Sequence, residues 1–201
     1  MIAAGPSAKR PPHMVFASSV RPVIACLLAL SLAACDTKPA EQSQAAIPPE
    51  QVGKVDISKR GQDMPAIPFV APGGGPATLT AFRGKPLMVN LWATWCGPCI
   101  AEMPTLEKLA GSDDRFQLIV VSQDLEGQKM VGPFFAKEKL RTLKPYLDPQ
   151  NVLMQAFQTE TLPTTVFFDA AGKEQWRVLG AMDWSGDKAK TLIDGAIGPA
   201  A

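Results

Sequence analysis

Histidine is nearly absent from this chain: His13 is the only one in 201 residues. Basic stripes are missing as well. Lysine and arginine total 20 against 19 acidic residues and form no cluster, which argues against nucleic acid as a partner. No internal repeat is evident. Cysteine is sparse, with Cys26, Cys35, Cys96 and Cys99 making up the whole supply. At 46%, the hydrophobic content is ordinary for a globular protein, and the length suits one domain plus an appendage.

The first 35 residues carry Lys9, Arg10 and Arg21 and no acid, leaving 17 basic against 19 acidic residues in the remainder. Arg21 precedes "PVIACLLALSLAA", an uncharged run too short to span a bilayer comfortably but suited to the core of an export signal. Met14 offers an alternative start, because "MVFASSVR" makes a more usual charged lead-in. A buried core helix is the other use for such a run, but the neighbouring residues give it nothing to pack against. Residues 1–34 are therefore expected to be a signal segment. Residues 36–62, rich in Pro, Gln, Ala and Lys and without periodicity, read as a tether, so that 35–62 forms a linker and 63–201 the domain.

Removal of the signal would take away Cys26 and His13 and leave Cys96 and Cys99 as the domain's only thiols. Two thiols without an imidazole cannot build a closed Cys/His zinc site from one subunit, although carboxylates or a second subunit leave a metal site open. Haem attachment would need histidine at position 100, where Ile100 stands. A purely structural disulfide is weak engineering here. Closing a four-residue loop stabilises by only about 2 kcal/mol before strain. Redox exchange is the better use of the spacing.

Periodicity arranges the rest. "PFVAPGGGPATLTAFRGK" suggests a hairpin around its glycine turn, and "PLMVNLWA" at 86–93 a buried strand. A helix should start at the cysteine turn and run through Leu106 and Leu109, with Ile100, Met103 and Leu106 on one apolar face. A strand follows over 116–122, then a helix around 132–140, a short strand near 145–147 and a second short helix. Paired strands are expected from 164–169 and "EQWRVLG", with a last helix between Trp184 and Ile197. Such an order implies an α/β fold with a central mixed sheet flanked by helices. The cysteine turn then lies at a helix N-terminus. Unpaired N–H groups and the helix dipole there favour a thiolate at Cys96, with Cys99 one turn deeper.

In "NLWATWCGPCIAEMP" at 90–104, WCGPC resembles the thioredoxin motif, and Pro104 matches the helix-kinking proline of that fold. The finer resemblance is to membrane-anchored thioredoxin-like proteins of the TlpA/ResA type, over the chain from about residue 63. It implies a thioredoxin-like fold with an N-terminal hairpin. It also implies a redox-active Cys96–Cys99 disulfide with no separate cofactor or metal. In "TLPTTVFF" it implies a cis peptide at Pro163, with Leu162 offering its backbone to a substrate strand. Trp95, Gly97 and Pro98 would complete the docking surface. By default Trp92 and Trp95 would both count as core aromatics. Cytosolic thioredoxin has a buried aspartate where Asn90 stands; the resemblance moves the proton acceptor to Glu102. A helix's general preference for acidic residues near its start is the competing account of Glu102. Thr161 departs from the glycine common among relatives.

The "LAAC" sequence ending at Cys35 resembles the bacterial lipoprotein box, which implies lipid on Cys35 and a membrane anchor. With Asp36 next, enterobacterial practice would place it on the periplasmic face of the inner membrane. The implied function is extracytoplasmic thiol–disulfide exchange. Clients would be disulfide-containing proteins such as apocytochrome c or copper-site proteins, and the reductant a transmembrane thiol carrier of the CcdA/DsbD kind. Gly97-Pro98 resembles thioredoxin, near about −270 mV, more than the oxidant DsbA near about −120 mV, so reduction is the expected direction. Two alternatives are weaker. A peroxiredoxin would need a threonine or serine at Ala93 and a proline at Val89, and a copper chaperone of the Sco type uses CxxxC with a distant histidine.

Overall fold

The computed structural model describes residues 53–197. The expected signal segment, Cys35 and the linker up to residue 52 lie outside the described residues. Among those described, eight strands and four α-helices, with a 3-10 turn at Leu79–Phe82, follow one another in chain order. They are β1 (Lys54–Asp56), β2 (Phe69–Val70), β3 (Pro76–Ala77), β4 (Leu87–Trp92), α1 (Gly97–Ser112), β5 (Gln117–Ser122) and α2 (Gln128–Glu138). After these come β6 (Pro145–Leu147), α3 (Val152–Phe157), β7 (Thr164–Phe168), β8 (Glu174–Leu179) and α4 (Asp187–Ile197). One mixed sheet holds all eight strands in the order β1-β8-β7-β4-β5-β6-β2-β3. Strands β4, β5 and β6 pair in parallel, and the remaining pairs are antiparallel.

Every residue of β4 is buried, as a strand covered on both faces requires. Side chains alternate along a strand, and the two cores show it. Leu87, Val89 and Leu91 join Ile119, Val121, Val166, Phe168 and the α3 residues Leu153 and Phe157 on one face. Met88 and Trp92 join Cys99, Met103 and Leu106 of α1, Val131 and Phe135 of α2 and Ile193 of α4 on the other. Asn90, between Met88 and Trp92, shares their parity. The sheet therefore turns it toward α1.

The folded region starts earlier than the sequence suggests. The boundary expected at 62/63 falls inside it, because β1 pairs antiparallel with β8 through Lys54–Leu179, Val55–Val178 and Asp56–Arg177. Three residues in a polar stretch carry no readable period, and non-local pairing holds the strand. Gly53 leads into it at close quarters. A Cβ there would stand 2.4 Å from Val178 Cγ1 and 2.6 Å from the Gly180 carbonyl, so only glycine fits. The β2–β3 hairpin forms at the opposite edge as expected, and α2 begins four residues before the expected 132.

Candidate active site

The turn between β4 and α1 is clamped before it reaches the cysteines. Thr94 donates to buried Asp124 from its backbone N–H at 2.9 Å and from its hydroxyl at 2.6 Å. Ser122 Oγ adds a third donor at 2.7 Å, and the Gln123 N–H bonds the Trp92 carbonyl at 2.8 Å. Cys96 follows as the N-cap of α1 in an extended conformation, with Gly97 and Pro98 opening the helix. A proline there costs the helix no hydrogen bond.

Cys96 and Cys99 are joined by a disulfide. Cys96 keeps 6% of its surface exposed and Cys99 none, which fits one approachable and one shielded sulfur. The Cys99 N–H is aimed at Cys96 Sγ from 3.3 Å. In the reduced protein that donor and the helix N-terminus would favour a thiolate on Cys96.

A groove of about 1370 Å³ runs past Cys96, and Trp95, Gly97, Pro98 and Leu162 are among the residues that line it. Cys99, Glu102 and Pro163 are not among its lining residues; all three are buried. The default placement of Trp95 in the core is overturned, since it is 70% exposed. Trp92 is fully buried, its ring 5.0 Å from that of Phe134 and 6.0 Å from that of Phe135. Among the groove residues that sequence reading missed are the buried Gln123 and the exposed Leu125. Both stand in the β5–α2 connection, where no motif marks them.

The Leu162–Pro163 peptide is cis. No backbone–backbone hydrogen bond among the described residues uses the Leu162 N–H or carbonyl. Thr161 is fixed by its neighbours. Its N–H reaches Thr159 Oγ1 at 3.3 Å and its carbonyl accepts from Thr164 Oγ1 at 2.7 Å. It is not among the residues with positive φ, so its backbone does not require glycine.

Glu102 is fully buried and stands beyond the first turn of α1. Its Oε1 accepts from Asn90 Nδ2 at 2.6 Å. Oε2 accepts from the Met182 N–H and from Trp184 Nε1, both at 3.1 Å. Burial pushes the carboxyl up to about 7, against the opposing pull of the Met182, Asn90 and Trp184 donors. A carboxyl poised near neutrality, three residues from Cys99 on one helix, has the proton affinity a general base needs. The sequence marks Asn90 only through the family resemblance, as the residue standing where cytosolic thioredoxin has an aspartate. Trp184 and Met182 gave no such signal.

A family profile described as Redoxin matches residues 59–193. The thiol–disulfide oxidoreductase ResA of Geobacillus thermodenitrificans is 31% identical over 104 residues, covering 52% of this chain and 60% of that protein. ResA of Bacillus subtilis is 28% identical over 130 residues, covering 65% and 72%. The chain spans 54–60% of the length of the first curated relatives it matches. A thiol:disulfide interchange protein of the thioredoxin family from Chlorobium tepidum superposes with a TM-score of 0.56 over 69% of this chain and 98% of its own. At 21% identity, that likeness speaks for the fold alone. With a cysteine pair at the start of a helix, a cis-proline loop and a mixed sheet flanked by helices, the chain belongs to the Redoxin family as a ResA-like member with a thioredoxin fold.

Proposed function

We propose that this protein is a thiol–disulfide oxidoreductase that reduces disulfides of client proteins outside the cytoplasm. The observation that carries the reading is the pairing of a groove-facing Cys96 with a wholly buried Cys99 and a buried carboxyl on the same helix. In the reduced protein the Cys96 thiolate attacks a client disulfide. One client sulfur leaves as a thiolate and a mixed disulfide forms. Glu102 takes the Cys99 proton, directly or through water, and the Cys99 thiolate attacks Cys96 Sγ. The second client thiolate departs and Cys96–Cys99 closes, so two electrons have passed to the client. Trp95, Gly97, Pro98 and Leu162 form the surface on which the client strand lies, and the cis peptide at buried Pro163 sets the position of Leu162.

Reduction of the spent disulfide needs an electron source, and a transmembrane thiol carrier of the CcdA/DsbD kind is the partner in this reading. Lipid on Cys35 would hold the protein at the periplasmic face of the inner membrane. Apocytochrome c and copper-site proteins are the client classes in view.

Insulin-disulfide reduction tests the chemistry. Cys96→Ser should abolish it, and Cys99→Ser should accumulate a mixed disulfide with the client; unchanged turnover in Cys96→Ser would sink the mechanism. The direction is read by equilibration with thiol–disulfide buffers. A potential near thioredoxin's at about −270 mV supports a reductase, whereas one near about −120 mV makes the protein an oxidant.

A further inference from the structure

The two oxygens of Glu102 are held unequally. Oε2 accepts from two groups that can only donate, the Met182 backbone N–H and the Trp184 indole N–H. Both of its lone pairs are thereby engaged. Oε1 has one donor, Asn90 Nδ2, and keeps a lone pair for a proton.

The donors are themselves fixed. Asn90 directs Nδ2 to Glu102 and to Thr165 Oγ1 at 3.0 Å, while its Oδ1 is buried without a partner. A buried carboxamide that uses only its donor end is placed there to donate. Trp184 lies 6.3 Å from Trp176 with nearly parallel rings, and its backbone N–H bonds Thr105 Oγ1 at 3.1 Å. Thr105 Oγ1 in turn donates to the Glu102 carbonyl at 2.7 Å. The turn of α1 that carries Glu102 and the segment that carries Trp184 are thus locked at two points.

We propose that Asn90 and Trp184 are positioning residues for Glu102, which between them fix the carboxylate and confine its exchangeable proton to Oε1. The consequence for exchange rests on the reading of Glu102 as acceptor for the Cys99 proton. Oε1 is then the oxygen through which that proton passes, and loss of either donor weakens the ionised form. The groups facing the carboxyl are Asn90 from β4, with Thr165 of β7 behind it, and Met182 and Trp184 from the segment after β8. On the same helix as the carboxyl, Cys99 stands three residues away and is held in the disulfide with Cys96. Burial and the three donors account for the carboxyl's proton affinity, and no charged side chain among the described residues contributes.

The test is infrared titration of the Glu102 carboxyl in the oxidised full chain, with Glu102→Gln to assign the band. Trp184→Phe should move the titration midpoint upward by about one pH unit, a tenfold gain in proton affinity. It should also raise the C=O stretching frequency of the protonated acid, because Oε2 is the carbonyl oxygen and has lost a donor. Asn90→Leu should raise the midpoint similarly with a smaller change in frequency, and it carries the test if Trp184→Phe does not fold. An unmoved midpoint in both variants overturns the positioning role. An unmoved frequency in a folded Trp184→Phe overturns the assignment of the proton to Oε1. The pH profile of mixed-disulfide resolution separates this inference from the one beneath it. A midpoint that moves without the profile leaves the cradle standing and removes Glu102 from the exchange.

Discussion

Glu102 and Glu107 sit five residues apart on α1 and bind protons in opposite senses. Burial raises Glu102 to about 7, so the folded state holds its proton more tightly than the unfolded chain does. Its stabilising share is complete below about pH 4.5 and is lost as pH rises through 7. Burial also pushes Glu107 upward, but the backbone N–H groups of Leu143, Thr142 and Arg141 outweigh it and leave the carboxyl below its usual value. That contribution is present above the ordinary glutamate range and fades as pH falls through the lowered value. Glu102→Gln should therefore gain stability relative to the parent as pH rises from 5 to 8, by roughly 3 kcal/mol at the upper end. The amide keeps the carboxyl's shape and can present its oxygen to the Met182 and Trp184 donors. Urea unfolding at several pH values reads the difference, and a gap that stays constant with pH contradicts the ionised-carboxyl account.

At the scale of elements, Glu107 fastens α1 to the loop between α2 and β6 by capping three successive N–H groups. Glu107→Gln retains one acceptor and loses the charge. It should cost about 1–2 kcal/mol at pH 7 and less at acid pH, as the parent carboxyl takes up its own proton. Equal destabilisation at both pH values would show that shape and not charge holds the loop.

Elements with a strong local period were legible in the sequence: the buried β4 and β5, the β2–β3 hairpin and the helix opened by the cysteines all stand where the residues place them. The cysteine pair, the groove-facing Trp95 and the cis peptide before Pro163 came from the motif. What stayed hidden depends on partners far away in the chain. β1 exists through its register with β8, and the Glu102 cradle joins residues 90, 102, 182 and 184 from β4, α1 and the connection after β8. Ile100 was expected on the apolar face of α1, but Glu102 and Cys99 take fully buried positions there and Ile100 is only half-buried. A helical wheel scores a glutamate as solvent-facing. The donors that make its burial tolerable are not on the wheel.

For the whole molecule, β1 makes the N-terminal limit of the fold a matter of stability. A chain starting at Gly53 keeps the β1–β8 ladder, the Gly53 N–H bond to the Ala181 carbonyl and the packing of Val55 on the core. One starting at residue 63 loses all three and leaves an edge of β8 uncovered. The shorter chain should melt about 5 °C or more below the longer one and show a greater tendency to associate. Calorimetry and light scattering on the two chains measure this, and matching melting temperatures would make β1 dispensable.

Gly53 is also where tension would enter the molecule. The chain arrives beside Ala181, one residue from Met182 and three from Trp184, at the end of β8 whose Leu179 lines the groove. A pull on the preceding residues loads the Gly53–Ala181 bond first and then the Lys54–Leu179 pair, peeling a three-residue ladder from its active-site end. This three-residue seam thus adjoins the segment that grips Glu102, so any load reaching Gly53 would bear on the support of that carboxyl before it reached the cysteines.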